Sequence, residues 1–282
     1  MKLREALANG EAYLRERQVP DAPVDAWYLM EYALKDSYGN RIDRTWYLLH
    51  CEEDIPPAQY ARYESLLRER GTRVPLQHIT GEQEFMGIPF LVNDKVLVPR
   101  QDTELLCEEA LKVCQAGMQV LDLCTGSGCI VISLMKHAPG LLGTASDVSA
   151  TALEVAGENA RRQGVCVDFR QGDLFSCIDG SFDLIVSNPP YIPTGEIDRL
   201  MEEVRCFDPR GALDGREDGL YFYRKITQES VSFLKQGGWL MVEIGYDQGP
   251  EVAQMMTSAG LSGVQIIKDL SGLDRVVKGR KS

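Results

Sequence analysis

From about residue 103 onward the chain alternates between short β-branched runs and helical patterns, and this alternation constrains the fold more than any other feature. Strand-like runs fall at 120–123, 142–146, 166–171, 182–187, 239–244, 264–268 and 275–278, with helical patterns between the first six. Parallel neighbours need a crossover that returns the chain to the same edge of the sheet, and a helix is the usual crossover. Repeated strand–helix units therefore predict an α/β fold built on a parallel, doubly wound sheet. Only residues 269–274 separate the last two runs. That is too short for a crossover, so these runs form a hairpin and the last strand is antiparallel.

The preceding residues have a different character. Residues 1–75 read as a small all-helical domain, with Leu3, Leu7 and Leu14 at helical spacing and Trp27, Met30, Ala33 and Leu34 on a second segment. No catalytic constellation is visible there, and the expected use of the domain is substrate recognition. In residues 76–102, Pro, Gly and β-branched residues punctuate short apolar runs, as in a β-hairpin connector. Residues 103–282 form the expected catalytic domain. The chain carries 42 acidic and 30 basic residues, a formal charge of −12. Residues 1–75 hold 13 acidic and 11 basic of these, net −2, so the remainder carries −10. An acidic surface repels phosphate backbones, so no direct nucleic-acid binding is expected.

The first residues lack the apolar core of a secretory signal, and no apolar run approaches the ~18 residues of a membrane span. A cytoplasmic protein with no membrane partner is expected. The eight cysteines form no C-x-x-C pair and there are only three histidines, so neither a zinc site nor any other metal is expected.

Seven strands with an antiparallel ending is the plan of class I S-adenosylmethionine-dependent methyltransferases, a Rossmann-like fold that residues 103–282 resemble. Asp122, Leu123, Cys124, Thr125, Gly126, Ser127 and Gly128 end the first strand, turn, and open a helix. A turn at a strand's carboxyl end that lets a ligand approach the backbone needs residues without bulk at Cβ. Asp122, Cys124, Thr125, Gly126, Ser127 and Gly128 are the candidate cofactor loop. The dinucleotide pattern G-x-G-x-x-G is absent, because position 131 is Val. Asp147 ends the second strand about 20 residues on, where an acidic residue accepts hydrogen bonds from ribose hydroxyls. Asp173 and Leu174 follow the third strand. The resemblance implies that this acidic residue faces the adenine amino group and that its neighbours cover the ring.

The sharpest signal is Asn188-Pro189-Pro190-Tyr191, directly after the strand at 182–187. Two prolines end the strand and stiffen the backbone. An amide or exocyclic amine nitrogen is a poor nucleophile, because its lone pair is delocalised, and it carries two N–H donors. Asn188 offers a side-chain carbonyl and Pro189 a backbone carbonyl, so together they can accept both N–H groups and orient the nitrogen. Tyr191 can pack on a planar substrate group. Asn188, Pro189, Pro190 and Tyr191 are therefore the candidate catalytic and substrate-binding residues, with Asn188 also reaching the cofactor. The motif leaves open a glutamine amide and a nucleobase amine such as adenine N6.

Further motifs narrow this. Pro75-Leu76-Gln77-His78-Ile79-Thr80-Gly81, then Val98-Pro99-Arg100-Gln101-Asp102-Thr103-Glu104, resemble the HemK/PrmC family of release factor glutamine methyltransferases, with His78 in place of Tyr and Gln101 in place of Pro. Asp208-Pro209-Arg210-Gly211-Ala212-Leu213, Asp218-Gly219-Leu220, Glu243-Ile244-Gly245 with Gln248, and Asp269-Leu270-Ser271-Gly272 extend the likeness across essentially the whole chain. Cys124 stands where the family usually has Gly, so the loop is expected to keep ordinary φ there or to shift slightly. The resemblance implies methyl transfer from S-adenosylmethionine to the N5 amide of the Gln in the Gly-Gly-Gln motif of peptide chain release factors. It also implies that the helical domain helps bind the release factor, and that Phe85 and Arg100 line the Gln pocket. A salt bridge is the competing role for Arg100, and a ribosomal protein is the competing protein substrate.

Overall fold

The computed structural model describes residues 1–38 and 42–282 and divides into two compact units, Met1–Gly81 and Glu82–Ser282.

The first unit is helical: α1 (Leu3–Glu16), α2 (Ala22–Tyr38), α3 (Arg44–His50), α4 (Pro57–Arg70) and α5 (Leu76–Thr80). Local chemistry sets the helix starts. The Asp43 carboxylate accepts from the Trp46 N–H at 2.6 Å to cap α3, and Pro57 opens α4 at a position where no intrahelical N–H is needed. Leu3, Leu7 and Leu14 lie on the buried stripe of α1 and pack with Leu29, Met30, Tyr63 and Leu67. Gly10 lies on the same stripe and admits the Tyr63 ring. A Cβ there would stand 2.1 Å from the Tyr63 hydroxyl, which donates to the Ala26 carbonyl at 3.1 Å. The expected connector divides at Gly81. Leu76 and Ile79 pack on the helical core, and Gly81 ends α5 in the left-handed region at φ 73°.

The second unit opens with the hairpin β1 (Glu82–Phe85) and β2 (Ile88–Leu91). Met86 and Gly87 both have positive φ, 52° and 71°, as a two-residue turn matched to strand twist requires. There follow α6 (Gln101–Leu111), β3 (Gln119–Leu123), α7 (Cys129–His137), β4 (Leu142–Asp147), α8 (Ala150–Gln163), β5 (Val167–Gln171) and β6 (Phe182–Ser187). The chain continues through α9 (Glu202–Phe207), α10 (Arg210–Leu213), α11 (Tyr221–Phe233), β7 (Leu234–Glu243), α12 (Gly249–Ser258), β8 (Leu261–Lys268) and β9 (Asp274–Lys281). One crossover differs from expectation: residues 172–181 between β5 and β6 form turns and no helix. Ten residues that include Gly172 and Gly180 are too few and too turn-prone for a packed helix.

Among the described residues, seven strands form one sheet in the order β5-β4-β3-β6-β7-β9-β8, with β7–β9 and β8–β9 antiparallel and the other pairs parallel. The central strands are apolar on both faces. Val120, Leu184, Val186 and Met241 pack with α6 and α7, while Leu121, Ile185, Leu240 and Val242 pack with α11 and α12. The winding direction reverses between β3 and β6, which places their two exit loops side by side at the carboxyl edge. Among the described residues, no helix is long and apolar enough to cross a membrane.

Gly10→Ala should lower the stability of the helical unit by about 1–3 kcal/mol, the usual effect of forcing an extra methyl into a packed site. A thermal melt of the variant followed by circular dichroism checks this. An unchanged melt means the Tyr63 ring moves aside freely.

Candidate active site

A cavity of about 340 Å³ opens at the reversal point, and Cys124, Gly126, Asp147, Leu174, Asn188 and Pro190 are on its walls. Ends of four strands thus meet at one crevice: β3 supplies Cys124 and Gly126, β4 Asp147, β5 Leu174, and β6 Asn188 and Pro190. Two segments beyond the strand ends complete it, Lys95, Val96 and Leu97 on one side and Pro209, Gly211 and Ala212 on the other.

The β3 loop is held by polar contacts from beneath. Asp122 is fully buried. Its Oδ2 accepts from the Thr125 hydroxyl at 2.7 Å and, more loosely, from the Val131 N–H at 3.4 Å in the first turns of α7. Its Oδ1 has no partner, and burial pushes the carboxyl up to about 7 against those two hydrogen bonds. Asp122 therefore shapes the loop from below and is not on the cavity wall. Thr125 and Ser127 are likewise buried, and Gly128 sits where a Cβ would meet Ile132 Cδ1 at 2.9 Å and Ala156 Cβ at 3.2 Å. These residues make the close α7–α8 packing that leaves Gly126 at the surface of the cavity.

Cys124 adopts φ 57°, which corrects the expectation of an ordinary backbone there. Leu174, also on the cavity wall, has φ 52°. Left-handed backbone costs a residue with a Cβ roughly 1–2 kcal/mol, and such positions gather at ligand sites because the surrounding structure holds them. Burial pushes the Cys124 thiol far up, so it faces the cavity as a neutral group.

Asp147 receives the Gly126 N–H on Oδ2 and the Ser149 N–H on Oδ1, both at 2.9 Å. Burial raises its carboxyl and these backbone donors oppose the rise. Asp173 is exposed, and its Oδ2 accepts from Lys225 Nζ at 2.9 Å. Leu174 is buried, with its carbonyl accepting from the Ser146 hydroxyl at 3.2 Å.

The β6 loop is pinned from several directions. Ser187 Oγ donates to the Leu123 carbonyl at 2.8 Å, tying β6 to β3. Asn188 Nδ2 donates to Thr103 Oγ1 at 3.2 Å. Pro189 and Pro190 are buried, and the half-buried Tyr191 has its phenol pushed up to about 12 by burial. Gln248 Nε2 donates to the Tyr191 carbonyl at 3.0 Å, while Gly245 N–H donates to Gln248 Oε1 at 3.0 Å. Gly219 supports the same carbonyl from outside: a Cβ there would stand 2.4 Å from it. The residues after the loop that the family motifs picked out are thus its buttress.

One expected pocket residue, Phe85, is placed elsewhere, and Arg100 makes the ion pair that competed with a pocket role. Phe85 is a core residue, 1% exposed and edge-to-face with Phe90 at 6.1 Å, so it cannot meet a substrate. Hairpin alternation turned it inward, toward α6 and α7. Arg100 donates from Nη2 to Asp208 Oδ2 at 2.7 Å, with the Asp208 side chain 1% exposed and the Arg100 side chain 45% exposed. This pair joins the start of α6 to the segment carrying Pro209, Gly211 and Ala212. Asn159 is a residue the sequence did not single out. It donates to the Ser127 carbonyl at 2.9 Å and exchanges two hydrogen bonds with Leu91, locking the β3 loop to β2. A buried amide within a helix leaves no local sequence signature.

The model of the PrmC N-terminal domain matches residues 5–81, and the model of the methyltransferase small domain matches residues 101–204. A release factor glutamine methyltransferase of Geobacter sulfurreducens is 40% identical over 279 residues, covering 99% of this chain and 96% of that protein. The chain belongs to the release factor glutamine methyltransferase family. Another member, from Deinococcus radiodurans, is 38% identical over 284 residues, covering 100% of this chain and 99% of that protein. A solved methyltransferase from Pyrococcus furiosus shares the fold, with a TM-score of 0.54 at 19% identity over 70% of this chain and 90% of that one. The seven-stranded sheet is accordingly the Rossmann-like methyltransferase fold. Among the described residues, no group of three or more His, Cys, Asp or Glu is arranged to hold a metal ion.

Asp122 makes the stability of this fold depend on pH. Its carboxyl ionises near 3.8 when free and near 7 when folded. The stability it confers is therefore complete below about pH 4 and is lost as pH rises to about 7. Asp122→Asn cannot ionise, so its thermal midpoint should fall less than the wild type's across that interval. A constant difference between the two melting curves over the interval would remove Asp122 from this role.

Proposed function

We propose that this protein transfers a methyl group from S-adenosylmethionine to the side-chain N5 of the glutamine in the Gly-Gly-Gln motif of peptide chain release factors. The observation that carries the proposal is the Asn188-Pro189-Pro190-Tyr191 loop at the carboxyl end of β6, whose Asn188 and Pro190 are on the wall of a nucleoside-sized cavity. The choice of a release factor is supported by relatives of that name that match both units over nearly their whole length. We assign the helical unit, Met1–Gly81, to recognition of the release factor.

The cavity suits the cofactor. Its volume lies in the range that encloses a small ligand. Gly126 leaves the backbone open where a Cβ would meet nothing within 4 Å. The Asp147 carboxylate retains lone pairs beyond the two it gives to Gly126 and Ser149, and these would accept ribose hydroxyls. Val96 and Leu174 offer apolar surface for the adenine ring, with Asp173 at the rim for its amino group. When bound, S-adenosylmethionine supplies an electrophilic methyl group on a sulfonium.

The chain's own residues address the other reactant. Asn188 Oδ1 and the Pro189 carbonyl accept the two N–H groups of the substrate amide, which orients the nitrogen. Pro189 has no N–H to compete for that role. Positive charge grows on nitrogen during attack, so both acceptors bind the transition state more strongly than the ground state. The proton leaves after the transfer, so no base is needed beforehand. Tyr191 packs beside the amide plane, with its backbone held by Gln248.

Purified protein should transfer labelled methyl from S-adenosylmethionine to unmodified release factor, with mass mapping placing the label on the glutamine of Gly-Gly-Gln. Labelling of a ribosomal protein or of DNA in its place would reverse the substrate assignment. Asn188→Ala should cut turnover by about 10²-fold while cofactor binding survives, by analogy with loss of one transition-state hydrogen-bond partner. Asp147→Ala should instead weaken cofactor affinity first. Calorimetry that finds its affinity unchanged would remove Asp147 from the ribose site.

A further inference from the structure

Glu243 ends β7, the strand beside β6, and neither the cofactor cavity nor the proposed mechanism uses it. It is 1% exposed, and its Oε2 has no hydrogen-bond partner. A buried carboxyl without a full set of partners costs free energy, and an apolar residue would fill the space without that cost. The groups around it come from several elements. The side chains of Thr103 on α6 and Asn188 after β6, together with the Arg275 guanidinium on β9, favour its ionised form, while Asp102 on α6 opposes it. Tyr223 on α11 donates its hydroxyl to the Glu243 backbone carbonyl at 2.9 Å. Tyr191 in the β6 loop, Cys107 on α6 and Cys129 on α7 also lie within its field. Burial is the largest influence and pushes the carboxyl up to about 7.

The Asn188 amide has two ends of opposite character. Its Nδ2 donates to Thr103 Oγ1 at 3.2 Å, which leaves the hydroxyl proton of Thr103 to be donated elsewhere. An ionised carboxylate only accepts. It can pair with the Thr103 O–H and the Asn188 N–H, but it repels the Asn188 oxygen. The order of donors therefore runs one way, from Asn188 to Thr103 and Glu243, and Asn188 Oδ1 is the end left for the cavity side.

We propose that Glu243 is a positioning residue: with Thr103 it fixes the orientation of the Asn188 side-chain amide, so that the oxygen, not the nitrogen, meets the substrate. This rests on the role given to Asn188 above. A neutral group at 243 removes the constraint, because it can donate to Asn188 Oδ1 and so accommodates the flipped amide.

Glu243→Gln is nearly isosteric and tests this directly. We expect kcat to fall on the order of tenfold to a hundredfold, the effect of slight misplacement in an active site. Affinity for S-adenosylmethionine by calorimetry should be unchanged. Added to Asn188→Ala, Glu243→Gln should cause no further loss, because no amide remains to be positioned. Thr103→Val should reproduce the kcat loss, again with nothing added by Glu243→Gln. Wild-type kcat should rise with pH through about 7, and Glu243→Gln should flatten that limb. Wild-type kcat in Glu243→Gln, or losses that add to those of Asn188→Ala as a purely structural role predicts, would overturn the proposal. An activity-independent readout is hydrogen exchange of the Asn188 side-chain amide by NMR, slowed in the wild type and faster in Glu243→Gln; equal rates also overturn it. If the wild type methylates no release factor, the substrate reading falls, while the exchange comparison still decides the role of Glu243.

Discussion

The reversal of strand order between β3 and β6 is the constraint on which the rest of this molecule depends. Two adjacent parallel strands whose exit loops lead away in opposite directions cannot cover the space above their own ends. At Leu123 and Ser187, paired across the sheet, the chain therefore leaves a crevice. The β3 loop borders it on one side and the β6 loop on the other. Most of what gives the crevice chemical character arrives on one of these loops or on the neighbouring strand ends, and the sheet beneath, apolar on both faces, holds those ends in register.

An open crevice is useful only if its walls keep their shape, and here side chain-to-backbone hydrogen bonds do that work. Asn159 grips the Ser127 carbonyl, Ser187 the Leu123 carbonyl, and Gln248 the Tyr191 carbonyl. Each satisfies a backbone group that the loops cannot pair within regular structure. The same scaffold supports Cys124 and Leu174 in left-handed conformations that isolated peptides avoid. The glycines at 215 and 219 complete it from outside, since a Cβ at either would collide with the backbone of Tyr191.

What was legible in the sequence follows from these physics. The strand–helix alternation is a local periodicity, so the sheet and its antiparallel ending could be read from it. Asp147 and Asn188 could be placed because one ends a strand and the other directly follows one, and strand ends at one edge of a parallel sheet converge. Residues whose role depends on distant neighbours could not be placed. Phe85 looked like a pocket residue by motif, yet the side it turns to is set by hairpin register against α6. Gly81 could be read as a turn, but not that α5 before it packs with the helices. The missing helix at 172–181 was a matter of length, and the left-handed φ of Cys124 is imposed by its surroundings against its own preference. Asn159 stands inside a helix, where an amide carries no periodic signal, and the motif that holds Glu243 does not show which side chains enclose it.

The buried acids give the overall charge a local meaning. Asp122 on β3 and Glu243 on β7 stand on either side of β6, one beneath the loop on the cofactor side and the other beside Asn188. Each is enclosed, and each has burial as the main influence on its proton affinity, so that its charge is poorly screened by water. Negative charge beneath a crevice favours a cation within it. A sulfonium cofactor carries positive charge, and the substrate nitrogen acquires it during transfer. The excess of acid that disfavours a phosphate backbone thus suits the proposed chemistry. Its cost is a carboxyl pair that destabilises the fold as the pH approaches 7 from below, and binding a cation there offsets that cost only when the site is filled.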